Sequence, residues 1–237
     1  MRKSLLFLCL MPLFMAAQDK WPSVSPSALF VTPDGEEYTE LTEAVDAPLQ
    51  ARFFARSADV GEYVARYEWK IWEEGQPDEL LVHRFDEDIE YTFVRSGSFC
   101  VQLYATFVCG NDTISYPAEG EENPIRVSIS ESKLEFPNAF SPNGDGYNDV
   151  LRAKDGYQSI VSFEAAVFNR WGAKLYSWTD LAGGWDGKWH GKYVKNGVYF
   201  LVVNAKGADG KKYNLRKTIS VLTGYKQENG GGGQTDE

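Results

Sequence analysis

The sequence predicts an all-β protein built from two β-sandwich domains in tandem. Over many short stretches hydrophobic residues alternate with polar ones, as expected of strands that have one buried face. None of the longer stretches in the first half shows convincing helical periodicity. Dipeptides that accept tight turns separate the later stretches, at Asn143-Gly144, Asp145-Gly146, Asn196-Gly197 and Asp209-Gly210.

Charge divides the chain into two parts. The 237 residues carry a formal net charge of -10, but residues 18–133 hold 23 acidic and 9 basic side chains, whereas residues 134–223 hold 8 and 12. Because this change falls beside the polar run at 128–133, we expect one domain at 18–133 and another at 134–223. The acidic first domain argues against nucleic-acid binding, since phosphate contacts supply most of that affinity.

The first 17 residues have the features of a secretory signal peptide. Arg2 and Lys3 precede an apolar run that is too short to span a bilayer, and the pair Ala16-Ala17 offers a cleavage point before Gln18. No later stretch approaches the roughly 20 apolar residues of a membrane helix. We therefore expect an exported protein that is soluble or peripherally attached.

The first domain has two strong strand patterns, at 63–72 and 99–108, where alternate residues are apolar. Shorter candidates lie at 28–32, 49–55, 80–85, 89–94, 113–116 and 125–129. Short strands in this number, with a tryptophan on a central one, fit an immunoglobulin-like sandwich. The runs YEWKIW and YTFVRSGSFCVQLYATF resemble PKD-like domains, although Glu73-Glu74-Gly75 replaces the Asp-Phe-Gly-Asp-Gly turn of that family.

Two cysteines, Cys100 and Cys109, remain after the signal peptide. If both lie on one extended strand, their Cα atoms are roughly 30 Å apart, whereas a disulfide needs a separation below about 7 Å. We therefore expect free thiols. A strand that ends early and folds back would instead allow a bridge.

Strand patterns of the second domain lie at 163–168, 174–178, 198–204 and 212–222. The unbroken apolar run at 198–203 indicates a strand that is buried on both faces, at the centre of a second small sandwich. Trp171 and Trp185 stand beside turn glycines. At such positions tryptophans serve as lids on the core more often than as ligand platforms.

The stretch FPNAFSPNGDGYNDVL at 136–151 organises the second domain, because its prolines and glycines predict a stiff turn at 142–147. FNRWG, GGWDG, NGVYFLVV and a terminal strand follow in that order. This constellation is similar to the type B C-terminal sorting domain of the type IX secretion system, also called the gliding motility-associated C-terminal domain. The residues that carry the resemblance are Pro137, Asn138, Phe140, Pro142, Asn143, Gly144, Asp145, Gly146, Asn148, Asp149, Asn169, Arg170, Trp171, Gly172, Trp185, Asp186, Gly187, Gly197 and Tyr199.

The resemblance implies that residues 134–223 are a sorting signal that directs secretion across the outer membrane. The signal peptide would take the chain to the periplasm, and an outer-membrane translocon would recognise the folded C-terminal domain. The cargo would then be released or kept at the cell surface with help from a PorP/SprF-like outer-membrane protein. Family members usually stop soon after the last strand, whereas residues 224–237 add a flexible acidic tail, which would obstruct a translocon that reads the extreme C-terminus.

The 142–149 turn has a second interpretation. Asn143, Asp145, Asn148 and Asp149 present oxygen atoms at close spacing, as a calcium ion requires. The register is not that of an EF-hand, which needs glycine where Asn148 stands. We favour a turn closed by its own side chains, and keep Asn143, Asp145 and Asp149 as alternative calcium ligands.

The sequence offers no catalytic constellation. His83 and His190 are the two histidines, and both are expected at surface or half-packed positions. The acidic runs at 73–74 and 86–88 fall at predicted strand ends, where solvated loop charge is the common explanation. We therefore expect a protein that is not an enzyme and needs no cofactor, with calcium as the one alternative.

Two classes of function remain for the first domain. One is a non-enzymatic adhesion or interaction module at the cell surface or outside the cell. The other is a carbohydrate-binding or hydrolytic accessory that uses Tyr67, Trp69 and Trp72. An exposed platform made by Trp72 with Tyr104 would favour the second class.

The triplet Asp112-Thr113-Ile114 resembles the site at which exported proteins of this bacterial group are O-glycosylated. The alternative is an ordinary turn in which Asp112 bonds to the neighbouring backbone.

Overall fold

The computed structural model describes residues 21–223, and every regular element in that range is a β-strand. The all-β prediction is therefore confirmed for this part of the chain. The predicted signal peptide at 1–17 and the predicted tail at 224–237 lie outside the described residues. Within 21–223 no helix has the length and hydropathy needed to cross a membrane.

The residues before 134 form a sandwich of two sheets. Its strands are β1 (Ser23–Val24), β2 (Ser27–Val31), β3 (Glu37–Tyr38), β4 (Leu49–Phe54), β5 (Ser57–Ala58), β6 (Val64–Glu73), β7 (Leu80–Arg84), β8 (Asp88–Phe93), β9 (Gly97–Cys109), β10 (Asp112–Tyr116) and β11 (Ile125–Ile129). One sheet has the order β3-β2-β4-β8, and the other has the order β10-β9-β6-β7 with β11 also on β9. The short strands β1 and β5 pair with each other in a separate two-stranded sheet. All eight predicted strands are present, and no strand end differs from the prediction by more than two residues. We call this unit the N-terminal sandwich.

The core of the N-terminal sandwich lies between these two sheets. Trp69 and Ile71 from β6 are fully buried, and they meet Phe53 of the opposite sheet. The Trp69 indole Nε1 donates to the Glu87 carbonyl oxygen at 3.0 Å, so its polar atom is satisfied inside the core. Burial of side chains of this size stabilises the fold by roughly 1.5–3 kcal/mol each.

The two cysteines lie on one continuous strand. Cys100 and Cys109 both belong to β9, which pairs with β6 along most of its length. Both are free thiols, so the prediction is confirmed.

Residues 134–223, which we call the C-terminal unit, contain the other seven strands. They are β12 (Ala139–Phe140), β13 (Ile160–Phe168), β14 (Lys174–Trp178), β15 (Lys188–Trp189), β16 (Lys192–Tyr193), β17 (Gly197–Gly207) and β18 (Lys212–Val221). Five of them form a sheet of order β12-β18-β17-β13-β14, and β15 pairs with β16 in a separate hairpin. The layer opposite the sheet is thus irregular chain and a small hairpin, where the sequence predicted a second full sheet.

The prediction that residues 198–203 are buried on both faces is wrong. Leu201 and Val203 are fully buried, whereas Val198 and Phe200 are exposed on the other face of β17. The strand is central in hydrogen bonding, because β13 and β18 flank it. However, within residues 21–223 only one face of the sheet is covered, so half of the apolar run is solvated.

A joint connects the two units at one end of each. Ala208, in the turn after β17, packs into the core of the N-terminal sandwich. Its amide donates to the Ser159 carbonyl oxygen at 2.9 Å, and its carbonyl oxygen accepts from the Ser96 amide at 3.2 Å. Gly207 lies so close to Ser132 that a Cβ atom there would overlap the serine hydroxyl.

Ser159 is the polar centre of the joint. Its hydroxyl accepts from the Ala47 amide at 3.1 Å and lies 2.7 Å from the Ser130 hydroxyl. Ser130 in turn donates to Asp46 Oδ1 at 2.5 Å. Ser159 is 2% exposed and has a φ of 47°, a left-handed conformation that few non-glycine residues adopt. The joint is therefore a packed and hydrogen-bonded contact between the two units.

Candidate functional site

The motif residues of the C-terminal unit gather at the end remote from the joint. Strand β17 runs from Gly197 at that end to Gly207 at the joint, a length of roughly 33 Å. Three connecting segments meet at the remote end, namely residues 141–149, 169–173 and 185–197. The Asn196 side chain also holds Thr223 there, since its Oδ1 accepts from the Thr223 amide at 2.8 Å.

The 142–149 turn is closed by its own side chains. Asp149 Oδ1 accepts from the amides of Asn143 and Gly144 at 2.9 and 2.7 Å, and Oδ2 accepts from Gly146 at 2.8 Å. Asn143 Oδ1 accepts from the Asp145 amide, and Asp145 Oδ1 accepts from the Tyr147 amide. Gly144 and Gly146 have φ values of 79° and 86°, which glycine adopts without strain.

This bonding lowers the pKa of the Asp149 carboxyl group. The Gly144 amide makes the largest contribution, and the amides of Gly146 and Asn143 add to it. Each of these bonds favours the charged carboxylate, because only the ionised group accepts from all three donors. Asp149 therefore acts as the central acceptor of the turn.

The side-chain oxygen atoms of the alternative calcium ligands already accept hydrogen bonds within the turn. Both Asp149 oxygens and both Asp145 oxygens accept hydrogen bonds, from backbone amides and from Asn143 Nδ2. Across residues 21–223 no group of three or more His, Cys, Asp or Glu residues is arranged to hold a metal ion. A calcium ion would have to displace the turn's own amides, and the calcium alternative stays untested.

The FNRWG segment forms a tight turn that projects a tryptophan. Asn169 Oδ1 accepts from the amides of Trp171 and Ala173, both at 3.0 Å, and Gly172 has a φ of 80°. Trp171 is 76% exposed, with the Arg170 guanidinium 4.5 Å from its ring centre. The prediction that Trp171 is a core lid is therefore wrong. The side chain of Asn169 fixes a turn whose geometry points the indole away from the core.

Trp185 is the core lid that the sequence predicts. It is fully buried, its ring centre lies 5.4 Å from Phe140 and 5.7 Å from Tyr199, and its Nε1 donates to the Lys188 carbonyl oxygen at 2.8 Å. Its backbone pairs with Leu151 in both directions, which ties the GGWDG segment to the chain after the 142–149 turn.

The remaining motif residues hold these segments against the sheet. Asp186 Oδ1 accepts from the Lys188 amide, and Tyr199 donates its hydroxyl proton to the Lys195 carbonyl oxygen. The carbonyl oxygens of Asn138 and Phe140 accept from Ser220 and Leu222 along β18. Pro137 precedes this pairing, Asn148 turns the chain with a φ of 50°, and Gly197 starts β17 with a φ of 154°. The motif is thus a set of mutually supporting turns.

Residues 134–220 match the family model of the CHU_C type IX secretion signal domain. The C-terminal unit is a type IX secretion signal domain. This match confirms the resemblance that the motif residues carry, and it covers the β12–β18 sheet and the turns at its remote end. We refer to residues 134–223 from here on as the signal domain.

No curated protein matches the chain in sequence. Among solved structures, the chain is similar to dimeric latent PorU from Porphyromonas gingivalis, with 12% sequence identity and a TM-score of 0.25. The similarity covers 86% of this chain and 20% of that chain, so this chain spans about one fifth of the length of its structural neighbour.

The three aromatic residues proposed for glycan binding do not share an exposed face. Trp69 is fully buried, and Tyr67 packs against the same core with its hydroxyl 2.8 Å from Ser57. Trp72 has the opposite parity, lies opposite Cys100 on the outer face and is half-buried. Tyr104 is also half-buried, with Lys70 Nζ 4.7 Å from its ring centre. The prediction that Trp69 could bind a glycan is therefore wrong, because alternation along β6 turns its side chain into the core.

The two histidines lie at the surface. His83 is exposed on β7, where Nε2 is 2.7 Å from Glu68 Oε1. His190 is exposed in the β15–β16 turn beside Trp189. Thr113 is exposed on β10 opposite Val108, so its hydroxyl is accessible for the predicted glycosylation.

Two features of the structure had no signal in the sequence. Ser159 and Ala208 are small residues in polar loops, and only the tertiary contact makes them the joint. The exposure of one face of β17 could not be predicted from the apolar run at 198–203. A continuous apolar pattern does not show whether one of the two faces of a strand lacks a covering layer.

Proposed function

We propose that the protein crosses the outer membrane as cargo of its own signal domain and acts at the cell surface or outside the cell as a non-catalytic interaction module. The signal domain indicates type IX secretion, and hence export to the cell surface or the extracellular space. The observation that carries the proposal is the match of residues 134–220, in which the motif turns form the end of the domain that the N-terminal sandwich leaves uncovered.

The joint supports transport of both units as one folded body. Ala208 and the Ser159 network hold the cargo against the end of the signal domain opposite to the motif turns. A secretion machinery could therefore approach the motif turns without meeting the cargo. We include in the proposal an N-terminal signal peptide for the first step and a PorP/SprF-like outer-membrane partner for the last.

An interaction module is the better proposal for the N-terminal sandwich. Trp72 and Tyr104, whose exposed platform would favour glycan binding, are both only half-exposed, and Trp69 is fully buried. The exposed His83 is paired with Glu68, which also lies 3.0 Å from Lys70, as is common for surface charge. These contacts support a structural role for His83, Glu68 and Lys70.

The experiment compares the full chain with a chain that ends at Lys133, both produced in a type IX-competent bacterium. We expect the full chain at the surface or in the medium, and the shortened chain in the periplasm. A translocon-deficient strain is the control, and there both chains should remain periplasmic. Export of the shortened chain, or export of the full chain without the translocon, would contradict the proposal.

We also propose Thr113 as an attachment site for an O-linked glycan, supported by its exposure on β10. Intact mass spectrometry of protein from the native host should show an added mass that Thr113→Ala removes. A bare mass for the wild-type chain would rule the modification out.

A further inference from the structure

The N-terminal sandwich and the signal domain each have one end that lies away from the joint, and these two ends carry opposite charge. We call residues 55–63, 84–88 and 109–112 the acidic end, and residues 142–149, 169–174, 186–200 and 221–223 the basic end. The acidic end carries six exposed carboxylate side chains against two arginines, namely Asp59, Glu62, Asp86, Glu87, Asp88 and Asp112 against Arg56 and Arg84. The basic end carries five basic side chains against three carboxylates, namely Arg170, Lys174, Lys188, Lys192 and Lys195 against Asp145, Asp149 and Asp186.

Strand register places both ends far from the joint. In the N-terminal sandwich, β9 runs from Gly97, next to Ser96 of the joint, to Cys109, a length of roughly 40 Å. The pair Phe54–Asp88 closes the same end of the other sheet. In the signal domain, β17 covers roughly 33 Å between the joint and the basic end.

Exposed apolar side chains accompany the charge at both ends. Val64 and Phe85 are exposed at the acidic end. The basic end exposes more apolar surface, on Trp171, Trp189, Tyr193, Val198 and Phe200. Large apolar side chains that are exposed together and ringed by charge are typical of a surface that another protein covers.

The acidic end and the basic end of one chain cannot contact each other. Ala208 is packed in the core of the N-terminal sandwich, and Gly207 lies so close to Ser132 that there is no space for a side chain between them. Contact between the ends would require the joint to open. Among residues 21–223, their complementary charge is therefore available only to another molecule.

We propose that the chain associates head to tail, with the basic end of one copy on the acidic end of the next. Such a contact joins two different surfaces, so it does not close into a dimer and each copy can add another. An interface between the tips of two small domains lies at the small end of specific interfaces, so we expect weak association. Salt should weaken it further, because the charges are exposed.

The test uses charge reversal at each end in the chain that starts at Gln18. Lys192→Glu with Lys195→Glu makes both ends acidic. Glu62→Lys, Asp86→Lys and Glu87→Lys together change the acidic end from four net negative charges to two net positive charges, so both ends are then basic. We expect each variant alone to be monomeric by light scattering in low salt. An equimolar mixture of the two should regain association, because every contact then joins opposite charges.

The wild-type chain should show an average mass that rises continuously with concentration at about 0.05 M salt and falls to the monomer mass at about 0.5 M. Matched controls reverse the same number of charges elsewhere. Lys206→Glu with Lys212→Glu matches the first variant, and Glu119→Lys with Glu121→Lys and Glu122→Lys matches the second. These controls should associate like the wild type. Circular dichroism melts confirm that every variant is folded.

Three results would overturn the proposal. They are a wild-type chain that stays monomeric at all concentrations in low salt, a mass that levels off at a dimer, and a mixture of the two reversed variants that remains monomeric. The test uses purified protein, so its outcome is independent of the secretion experiment.

Discussion

Gly187 lies directly against Pro142. A Cβ atom at Gly187 would stand 2.7 Å from Pro142 Cγ, and Gly187 has a φ of 78°. This contact brings the GGWDG segment onto the PNGDG turn, and it leaves room for no side chain larger than hydrogen. Two turns that are 45 residues apart in the chain therefore depend on one glycine.

Gly187→Ala should destabilise the signal domain by about 2–4 kcal/mol, because steric overlap adds to backbone strain. Gly172→Ala is the matched control. It has a similar φ of 80° but no atom within 4 Å of its Cβ, so it should cost only about 1–2 kcal/mol. Denaturant unfolding measures both. Equal losses for the two variants would show that contact with Pro142 does not matter.

Asp149→Asn should lower the melting temperature at neutral pH. The folded-state pKa of Asp149 is lowered, first by the Gly144 amide. Its contribution to stability is therefore complete above the pKa of the unfolded chain and is lost as the pH falls through the folded value. The gap in melting temperature between wild type and variant should close in acid.

The control for this prediction is Asp155→Asn, whose side chain is 96% exposed. It should shift the melting temperature little at any pH. A gap for Asp149→Asn that stays constant from neutral to acid pH would contradict the role of the ionised carboxylate.

Calcium at about 1 mM, a concentration that suits extracellular calcium sites, should leave the melting temperature unchanged. The oxygens of Asp145 and Asp149 already accept hydrogen bonds within the turn. A ligand that binds only the folded state would raise its stability by mass action. A higher melting temperature in calcium that a chelator reverses would establish a metal site.

Ala208→Glu should separate the unfolding of the two units. The substitution places a carboxylate in the core of the N-terminal sandwich, where an unpaired charge is unfavourable. We expect two calorimetric transitions where the wild-type chain shows one. Ala173→Glu, in an exposed turn of the signal domain, should keep the single transition. One transition in both variants would mean that the joint does not couple the units.

The strands could be predicted from the sequence because their alternation is local. Stretches such as 174–178 and 125–129 became strands with the same bounds. Trp185 as a lid and Cys100 as a free thiol also followed from residue type and spacing. The turns of the motif followed because glycine and Asx residues determine turn conformation over a few residues.

The predictions that failed depend on which face of a strand is covered by another part of the structure. Trp69 and Trp72 are three residues apart, and alternation alone separates their faces, but only the second sheet decides that Trp69 lies inside. Phe200 is exposed because no layer from the described part of the chain covers its side of β17. The contact of Ala208 with the N-terminal sandwich joins distant parts of the chain, and no local pattern encodes it.

The most direct measurement fuses residues 134–237 to a fluorescent reporter that a signal peptide delivers to the periplasm of a type IX-competent bacterium. The fused domain should be shown to be folded, because removal of the N-terminal sandwich exposes Ala208. We expect the reporter at the cell surface or in the medium, and in the periplasm when Gly187→Val unfolds the motif turns or when the translocon is absent. A folded fusion that remains periplasmic in the competent host would contradict the central claim that this domain is sufficient for sorting.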